Sequence, residues 1–261
     1  AAPTPTLGEA LATLRFIARH PLTADRPLAA LGRFAAWQLR SRLAAEVETP
    51  WIDGARLALS RGMRGATGNL YCGLLEYPDM AFLMHLLRPG ELFVDAGANV
   101  GAWTVLAARV CGARVRAFEP DPETRRALAR NAEVNGIEAR TLISPEALGA
   151  RPGTVRFTVG RDAINRVAAP GEGATREGAT REVAMTTLDA ALAGTEPTLI
   201  KLDLEGHEAE ALAGAAATLA RPGLLAVQTE SEAPAVVAAL EGAGFVRRWY
   251  DPAARALREA P

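Results

Sequence analysis

The segment Phe93–Gly101 restricts the possible folds of this chain more than any other stretch. It reads FVDAGANVG, an apolar run that ends at an acid and continues through a glycine-containing turn into a helix that opens with Ala102. A strand, turn and helix of this kind are typical of the ligand-binding unit of doubly wound α/β folds. Gly97 allows a sharp turn and Gly101 a close approach of helix to sheet, while Asn99 tolerates a positive φ.

The same turn predicts an anion-binding site. Its backbone amides, among them those of Ala98 and Asn99, are expected to face the ligand, and Asp95 at the strand end suits an ammonium group. In a dinucleotide enzyme the anion would be a pyrophosphate, whereas in a methyltransferase it is the carboxylate of a methionine moiety. The turn lacks the spacing G-x-G-x-x-G, and its leading acid favours the second ligand.

A second acid, Glu119, ends the next apolar segment 24 residues after Asp95. This spacing fits one βαβ unit, and an acid at this position can accept hydrogen bonds from both hydroxyls of a ribose. Asp121 is a candidate N-cap with Pro122 at the first helical position, so the next helix is expected to begin directly behind the ribose site. A solvated strand end without a ligand is the alternative interpretation of Glu119.

From Leu92 onward, short apolar runs alternate with amphipathic segments, a pattern that predicts βαβ units and a mostly parallel sheet. The expected fold class is therefore α/β, with a doubly wound, Rossmann-like sheet preceded by an N-terminal helical extension. We assign residues 1–67 to the extension and 68–261 to the ligand-binding domain. The predicted strands are Leu92–Asp95, Arg114–Glu119, Ala139–Ile143, Thr198–Asp203, Leu224–Thr229 and Phe245–Tyr250.

Two other regions have a distinctive composition. Residues 1 to about 50 are rich in Ala, Leu and Arg, and their apolar residues recur at helical spacing, so helices interrupted near Pro21 and Pro27 are expected. We interpret their arginines as a solvated face, with a membrane-surface or acidic-substrate site as the alternative. The segment Gly173–Glu182 repeats GATRE in tandem and predicts a mobile surface loop, with a lid over the site as the alternative.

A third group of polar residues, Asp203, Glu205, His207 and Glu208, directly follows the apolar run Leu199–Leu202. That run is expected to lie beside the first strand, so these side chains should reach the same edge of the sheet. An imidazole such as His207 is suited to removing a proton from a hydroxyl near neutral pH. Asp203 and Glu205 could instead orient that hydroxyl or bind magnesium. Helix capping is the alternative for His207 and Glu208.

Charge and composition limit the partners. The net charge of −1 provides no global field for a nucleic-acid backbone. The two cysteines form no CxxC pair and no zinc-like spacing with histidine, so neither a disulfide framework nor a metal site is predicted. No apolar run approaches the roughly 20 residues of a membrane span, and no signal-peptide pattern is present. We expect a cytoplasmic protein that does not span a membrane.

Together these motifs resemble the FkbM family of methyltransferases. The resemblance extends over about residues 70–230, and the segment Gly68–Met80 is also similar to the lead-in of some members. It implies a class I methyltransferase fold, S-adenosyl-L-methionine as cofactor and O-methylation of a sugar or polyketide hydroxyl. The matching motifs are FVDAGANVG at 93–101, FEP at 118–120, TLD at 187–189 and IKLDLEGHE at 200–208.

The resemblance also implies roles for single residues. Asp203 is a candidate for both cofactor binding and catalysis. It ranks above His207 as general base because other residues occupy position 207 in many members, and Glu205 is the third catalytic candidate. Candidates for contact with the acceptor are Asn165, Glu208, Tyr71 and Glu76. The cofactor would be lined at its methionine end by Asp95, Gly97, Ala98, Asn99 and Gly101, at the ribose by Glu119 and Pro120, and at the adenine by Glu146 and Ala147.

Several alternatives stay open. The final hairpin strand of a methyltransferase sheet would have to come from Ala253–Leu257 or be missing. A homodimer through the N-terminal helices competes with packing of those helices on their own chain. N-methyltransferases that act on nucleic acids commonly have an Asn/Asp-Pro-Pro-aromatic motif where this chain reads DLEG at 203–206. A nicotinamide-dependent dehydrogenase and a non-catalytic nucleoside-binding module are the other rivals.

Overall fold

The computed structural model describes residues 7–159, 166–167 and 179–259. Its helices are α1 (Leu7–Arg19), α2 (Pro27–Leu43), α3 (Arg64–Cys72), α4 (Tyr77–Leu86), α5 (Ala102–Val105), α6 (Pro122–Asn135), α7 (Leu188–Ala191), α8 (Glu208–Ala213), α9 (Ala216–Leu219) and α10 (Pro234–Gly242). Its strands are β1 (Glu46–Pro50), β2 (Arg56–Ser60), β3 (Leu92–Ala96), β4 (Arg114–Phe118), β5 (Thr141–Ser144), β6 (Ala147–Leu148), β7 (Gly153–Val159), β8 (Ala179–Thr186), β9 (Pro197–Leu202), β10 (Ala226–Thr229), β11 (Arg248–Asp251) and β12 (Ala256–Glu259).

A five-stranded parallel sheet in the order β10-β9-β3-β4-β5 forms the centre of the fold. The chain runs outward from β3 to β5 and then returns to β9 on the other side of β3. This reversal leaves a crevice at the carboxyl ends of the strands, where doubly wound folds bind ligands. The register places Asp95 of β3 beside Ala117 and Lys201. The predicted doubly wound, Rossmann-like fold is confirmed.

Strand β3 is buried along its whole length because helices cover both faces of the sheet. Phe93 packs on one face with Leu106, which continues α5 in a π-helical turn, and with Leu128 of α6. Val94, the next residue, packs on the other face with Leu212 of α8. Successive residues of a strand point to opposite faces, and a parallel strand covered on both sides is therefore apolar throughout.

The N-terminal region contains a β hairpin that the sequence analysis did not predict. β1 and β2 pair in antiparallel register, and the helices α1 and α2 precede them near the predicted breaks at Pro21 and Pro27. Leu57 and Leu59 alternate inward along β2 and are buried in a cluster with Trp37 of α2. This alternation is short, and the surrounding helical composition obscured it.

Buried Asn131 of α6 attaches this hairpin to the central sheet. Its side-chain oxygen accepts a hydrogen bond from the amide of Ala58 at 2.7 Å, and its side-chain nitrogen donates to the carbonyl of Val100 at 2.8 Å. Asn135, one turn later, bonds both the amide and the carbonyl of Arg56 at 2.8 Å. The hairpin is therefore bonded to the domain that follows it, and the boundary at 67/68 stays a prediction.

Two smaller sheets were placed differently by the sequence analysis. The loop predicted at Gly173–Glu182 is wrong for its last four residues, because 179–182 pair with β7 as the start of β8 in a sheet of order β6-β8-β7. The other residues of that segment lie outside the described residues, and a lid stays untested. At the C-terminus, a hairpin strand is present but lies at Ala256–Glu259 rather than Ala253–Leu257, and this strand, β12, pairs with β11 instead of extending the parallel sheet.

The segment after His207 forms two short helices, α8 and α9, rather than one continuous helix. The break lies at Gly214, where a Cβ would overlap the carbonyl oxygen of Gly149. Close approach of two backbones therefore ends α8 early. Within the described ranges, no helix has both the length and the apolar character needed to cross a bilayer.

Candidate active site

A cavity of about 250 Å³ lies over the carboxyl ends of β3, β4 and β9, where the strand order reverses. Gly97 and Trp103 lie on its wall between two ends of different chemistry. We call these the β4–β5 end, which includes Phe118, Glu119, Pro120, Glu146 and Ala147, and the β9–β10 end, which includes Lys201, Asp203, Glu205 and Glu230. Motifs far apart in sequence therefore meet around one space, as the sequence analysis predicted.

The amides of the turn after β3 are already bonded within the protein. Those of Gly97 and Ala98 donate to the carbonyl of Phe118 at 3.1 and 3.0 Å, and that of Asn99 donates to Glu119 Oε2 at 3.0 Å. The expectation that these amides are free to bind an anion is wrong, because the end of β4 accepts them. The turn instead fixes the position of the carboxylate of Glu119.

The glycines of this turn allow a sharp turn and close packing, as the sequence predicted. Gly97, Asn99 and Gly101 have φ angles of 83°, 50° and 90°. A Cβ at Gly97 would overlap the carbonyl oxygen of Asp203, and one at Gly101 would overlap the side chain of Leu128. Gly97 therefore permits β3 and β9 to end close together under the cavity, and Gly101 permits α6 to pack against the turn.

Glu119 presents a buried carboxylate at the β4–β5 end. Besides the bond from Asn99, its Oε1 accepts the amide of Asp121 at 2.8 Å. Each carboxylate oxygen has two lone-pair directions, so both oxygens can accept one further hydrogen bond. Burial raises the pKa of Glu119 to about 7. This arrangement fits the pair of hydroxyls on a ribose.

The rest of the β4–β5 end is apolar except for Glu146. Phe118, Ala147 and Leu148 line it together with Phe157 of β7. A flat, largely apolar pocket beside a ribose-binding acid fits an adenine ring, and Glu146 is positioned to bond a polar atom at the edge of the ring. The residues present therefore fit an adenosyl group, and Pro120, Glu146 and Ala147, which were predicted to contact it, line this end of the cavity.

Asp95 lies beneath the cavity rather than on its wall. It is fully buried, and its Oδ2 accepts a hydrogen bond from Thr104 Oγ1 at 2.7 Å, while its Oδ1 has no hydrogen-bond partner among the described residues. Burial raises the pKa of Asp95, and the nearby charge of Lys201 opposes that rise. Neither Asp95 nor Gly101 is among the described residues that line the cavity. Their predicted contact with the methionine end stays untested.

Lys201 of β9 is the functional residue that sequence reasoning missed. Its Nζ donates to Asp203 Oδ2 at 2.7 Å and lies 5.2 Å from the ring centroid of Trp103. Burial alone would lower the pKa of Lys201, but the carboxylates of Asp203, Asp95 and Glu76 outweigh burial and raise it. A buried, permanently charged ammonium therefore stands at the β9–β10 end. The sequence did contain a signal for this residue, because Lys201 is the only lysine among the 29 Lys and Arg residues of the chain.

Three other predicted residues line the cavity near this ion pair: Glu76, Glu205 and His207. Burial raises the pKa of Glu76, which immediately precedes α4, to about 7. Glu205 is exposed on the loop after β9 with a φ of 52°, and partial burial raises its pKa too. His207 Nδ1 lies 3.7 Å from Glu210 Oε2, and its buried Nε2 has no hydrogen-bond partner in the described part of the chain.

Two candidates for acceptor contact, Glu208 and Tyr71, do not line the cavity. Glu208 is buried, and its Oε1 accepts the amides of Leu204 at 2.9 Å and Gly206 at 3.2 Å, which stabilises the loop after β9. Tyr71 packs edge-on against Phe34 in the N-terminal cluster, and burial raises its pKa to about 12. Asn165 lies outside the described residues. Across 7–159, 166–167 and 179–259, no group of three His, Cys, Asp or Glu side chains could hold a metal ion.

Comparison with known families gives one match, to the model described as "Methyltransferase FkbM domain", over residues 95–249. The matched range begins at Asp95, the penultimate residue of β3, and includes every residue named above for the two cavity ends, but not Glu76. No curated protein sequence matches the chain.

Several solved structures are similar to parts of this chain. P. horikoshii TYW2 in complex with MeSAdo is 25% identical with a TM-score of 0.33, over 40% of this chain and 36% of that one. The Pyrococcus abyssi tRNA (uracil-54, C5)-methyltransferase in complex with S-adenosyl-L-homocysteine is 13% identical with a TM-score of 0.30, over 39% and 24%. Geranyl diphosphate methyltransferase in complex with GPP and sinefungin is 18% identical with a TM-score of 0.27, over 51% and 46%. The chain spans less than half the length of each.

Proposed function

The chain belongs to the FkbM family of S-adenosylmethionine-dependent methyltransferases, and from this premise we propose that it methylates a hydroxyl oxygen of a small molecule, such as a sugar or a polyketide-type natural product. The main support is the contrast between the two ends of the cavity. One end fits an adenosyl group, and the other is lined by carboxylates around a single buried ammonium.

At the β4–β5 end, Glu119 would accept hydrogen bonds from the ribose, and the apolar side chains of Phe118 and Ala147 would contact the adenine. The methionine portion would then extend over Gly97 toward the β9–β10 end. S-adenosyl-L-methionine supplies a methyl group that its sulfonium already activates. The protein therefore has to align the acceptor oxygen with the methyl carbon and exclude water.

The charges of the β9–β10 end favour a hydroxyl acceptor over an amine. The carboxylates of Asp203, Glu205 and Glu230 surround the space. The positive charge of Lys201 is balanced by the carboxylate of Asp203, to which it is bonded. Negative surroundings stabilise the protonated form of an amine, which then has no lone pair for attack. A hydroxyl keeps its lone pairs and can donate to a carboxylate. The same negative charge repels phosphate groups, which disfavours a nucleic-acid acceptor.

We assign acceptor orientation to Asp203. Lys201 binds one carboxylate oxygen, Oδ2, and thereby fixes the side chain, while Oδ1 can accept a hydrogen bond from the acceptor hydroxyl. Glu205 and His207 line the space beside it and are candidates for further contacts with the acceptor. Correct orientation of the attacking oxygen is worth several orders of magnitude in rate.

Calorimetry with S-adenosylhomocysteine and a radiolabelled methyl-transfer assay together test this function. Wild-type protein should bind S-adenosylhomocysteine, and Glu119→Ala should weaken binding strongly. Glu123→Ala, which removes an exposed carboxylate in the first turn of α6, is the matched control and should not. Radiolabel should then reach hydroxylated sugars or polyketides rather than their amino analogues. Absence of wild-type binding, or transfer only to amines, would contradict the proposal.

A further inference from the structure

Most carboxylates around the cavity are already bonded or face solvent. Asp203 accepts the ammonium of Lys201, and Glu119 accepts two backbone amides. Glu205 and Glu230 are exposed to water. Two carboxylates differ from these: Glu76 and Glu146 are each half-buried and line the cavity, and no hydrogen bond or ion pair to either carboxylate occurs within the described residues. Glu146 lies at the β4–β5 end, whereas Glu76 does not.

The position of Glu76 places it beside the acceptor rather than the adenosyl group. It immediately precedes α4, and its backbone carbonyl accepts the amide of Met80 in the first turn of that helix at 2.9 Å. Four charged groups face its carboxylate: Lys201 of β9, Asp203 directly after β9, Glu230 after β10, and Asp79 of α4 itself. All of these lie at the β9–β10 end, across the cavity from Glu119.

We propose that Glu76 is the general base that removes the proton from the acceptor hydroxyl. This role rests on the proposed transfer of a methyl group to oxygen. As the acceptor oxygen forms its bond to the methyl carbon, the bond between that carbon and sulfur breaks, and its electron pair passes to sulfur. The hydroxyl proton passes to an oxygen of Glu76. The products are a methyl ether, S-adenosylhomocysteine and the protonated acid, which later releases its proton to water.

The surroundings of Glu76 suit this task. Burial raises its pKa to about 7, Glu230, Asp203 and Asp79 add to that rise, and Lys201 opposes it. A base whose pKa lies near the working pH is ionised in a large fraction of molecules and still binds a proton well. Asp203 is less suited, because its charge is already bound by Lys201. Glu76 also precedes the segment that matches the family model, which begins at residue 95.

Kinetics of Glu76→Gln give the first test, with Asp79→Asn as the matched control. Asp79 is an exposed neighbouring carboxylate that also faces Lys201, and Gln228 Nε2 donates to its backbone carbonyl at 3.0 Å. We expect Glu76→Gln to lower kcat by about 10²- to 10⁴-fold and to remove the rise of kcat with pH near neutrality at saturating cofactor. Its affinity for S-adenosylhomocysteine should stay unchanged. Asp79→Asn should keep both the turnover and the pH dependence.

The only lysine of the chain gives a second readout that does not depend on turnover. Protein labelled with ¹³C at the lysine ε carbon shows one lysine signal, that of Lys201. This signal should shift with a midpoint near pH 7 as Glu76 ionises. The shift should be lost in Glu76→Gln and retained in Asp79→Asn.

The outcomes separate the two proposals. Wild-type protein that transfers no methyl group to any hydroxyl overturns both. Wild-type transfer that Glu76→Gln retains, with its pH dependence intact, overturns only the role of Glu76 and points to His207. An equal loss of turnover in Asp79→Asn also overturns that role, because the effect would then come from charge near Lys201 and not from proton transfer.

Discussion

Replacing Glu76 with glutamine should make the folded protein more stable above neutral pH, although it removes a charge next to Lys201. Glutamine has nearly the same shape as glutamate and does not ionise. The ionised carboxylate of Glu76 is held in a half-buried position without a hydrogen bond from the described residues. Burying an unbonded charge costs free energy, and the neutral amide avoids most of that cost.

The size of the effect follows from the pKa of Glu76, which rises from 4.5 to about 7 on folding. Because the folded state binds the proton more tightly, the free energy of unfolding contributed by this group is fully present below pH 4.5 and is lost as pH rises through 7. Each pKa unit corresponds to about 1.4 kcal/mol. Ionised Glu76 therefore lowers the stability of the folded protein by about 3 kcal/mol above neutral pH.

Urea unfolding at several pH values measures this difference directly. The free energy of unfolding of Glu76→Gln should exceed that of the wild type by about 3 kcal/mol at about pH 8. The difference should shrink as the pH falls toward the pKa of free glutamate. Glu123→Gln, which removes the charge of the exposed carboxylate in the first turn of α6, is the control and should show no such pH-dependent gain. A Glu76→Gln protein that is less stable than the wild type at high pH would refute the reasoning, because attraction to Lys201 would then outweigh the cost of burial.

Three further substitutions test other parts of the site. Gly97→Ala should abolish binding of S-adenosylhomocysteine, because its Cβ would overlap the carbonyl oxygen of Asp203 at a φ of 83°. The control Gly136→Ala, at a φ of 63° in open space, should cost about 1 kcal/mol of stability and leave binding intact. Equal losses of binding in the two variants, measured by calorimetry, would contradict this prediction. Lys201→Met should lower the free energy of unfolding by about 3–5 kcal/mol, because buried carboxylates would lose their cation, and a loss below about 1 kcal/mol would show that they are held in another way. Glu208→Gln should keep turnover, because an amide oxygen can accept the same two backbone hydrogen bonds; its inactivity in the transfer assay would indicate that Glu208 contacts the acceptor.

The cofactor side of the fold could be predicted from sequence because its constraints are local. Asp95, the glycines and Glu119 lie within one βαβ unit, so their spacing determines their geometry. The positive φ of Asn99 follows from its place in the same turn. The failure at this turn concerned the direction of its amides. That direction depends on Phe118, which ends a neighbouring strand, and strand pairing lies beyond a local motif.

The β9–β10 end was harder to predict from spacing because it is assembled from distant elements, and Glu76 was a candidate there only through the family resemblance. Glu76 reaches the cavity only because α4 packs against the sheet that contains Lys201, and no spacing rule links residues so far apart in sequence. The hairpin β1–β2 escaped prediction for a related reason. Its inward residues alternate over one short strand, and its main polar anchor is Asn131 of α6, more than 70 residues away.

The charge balance at the β9–β10 end links the two halves of the site. Lys201 binds Asp203 directly and opposes the rise in the pKa of Glu76, so one ammonium both fixes the residue that would orient the acceptor and keeps the proposed base partly ionised. Its own charge survives burial only because carboxylates surround it. Loss of Lys201 should therefore impair both tasks together, whereas loss of Glu76 should impair proton transfer alone. Since Glu76 precedes the segment that the family model covers, the proposed proton transfer would depend on the N-terminal part of the chain as well.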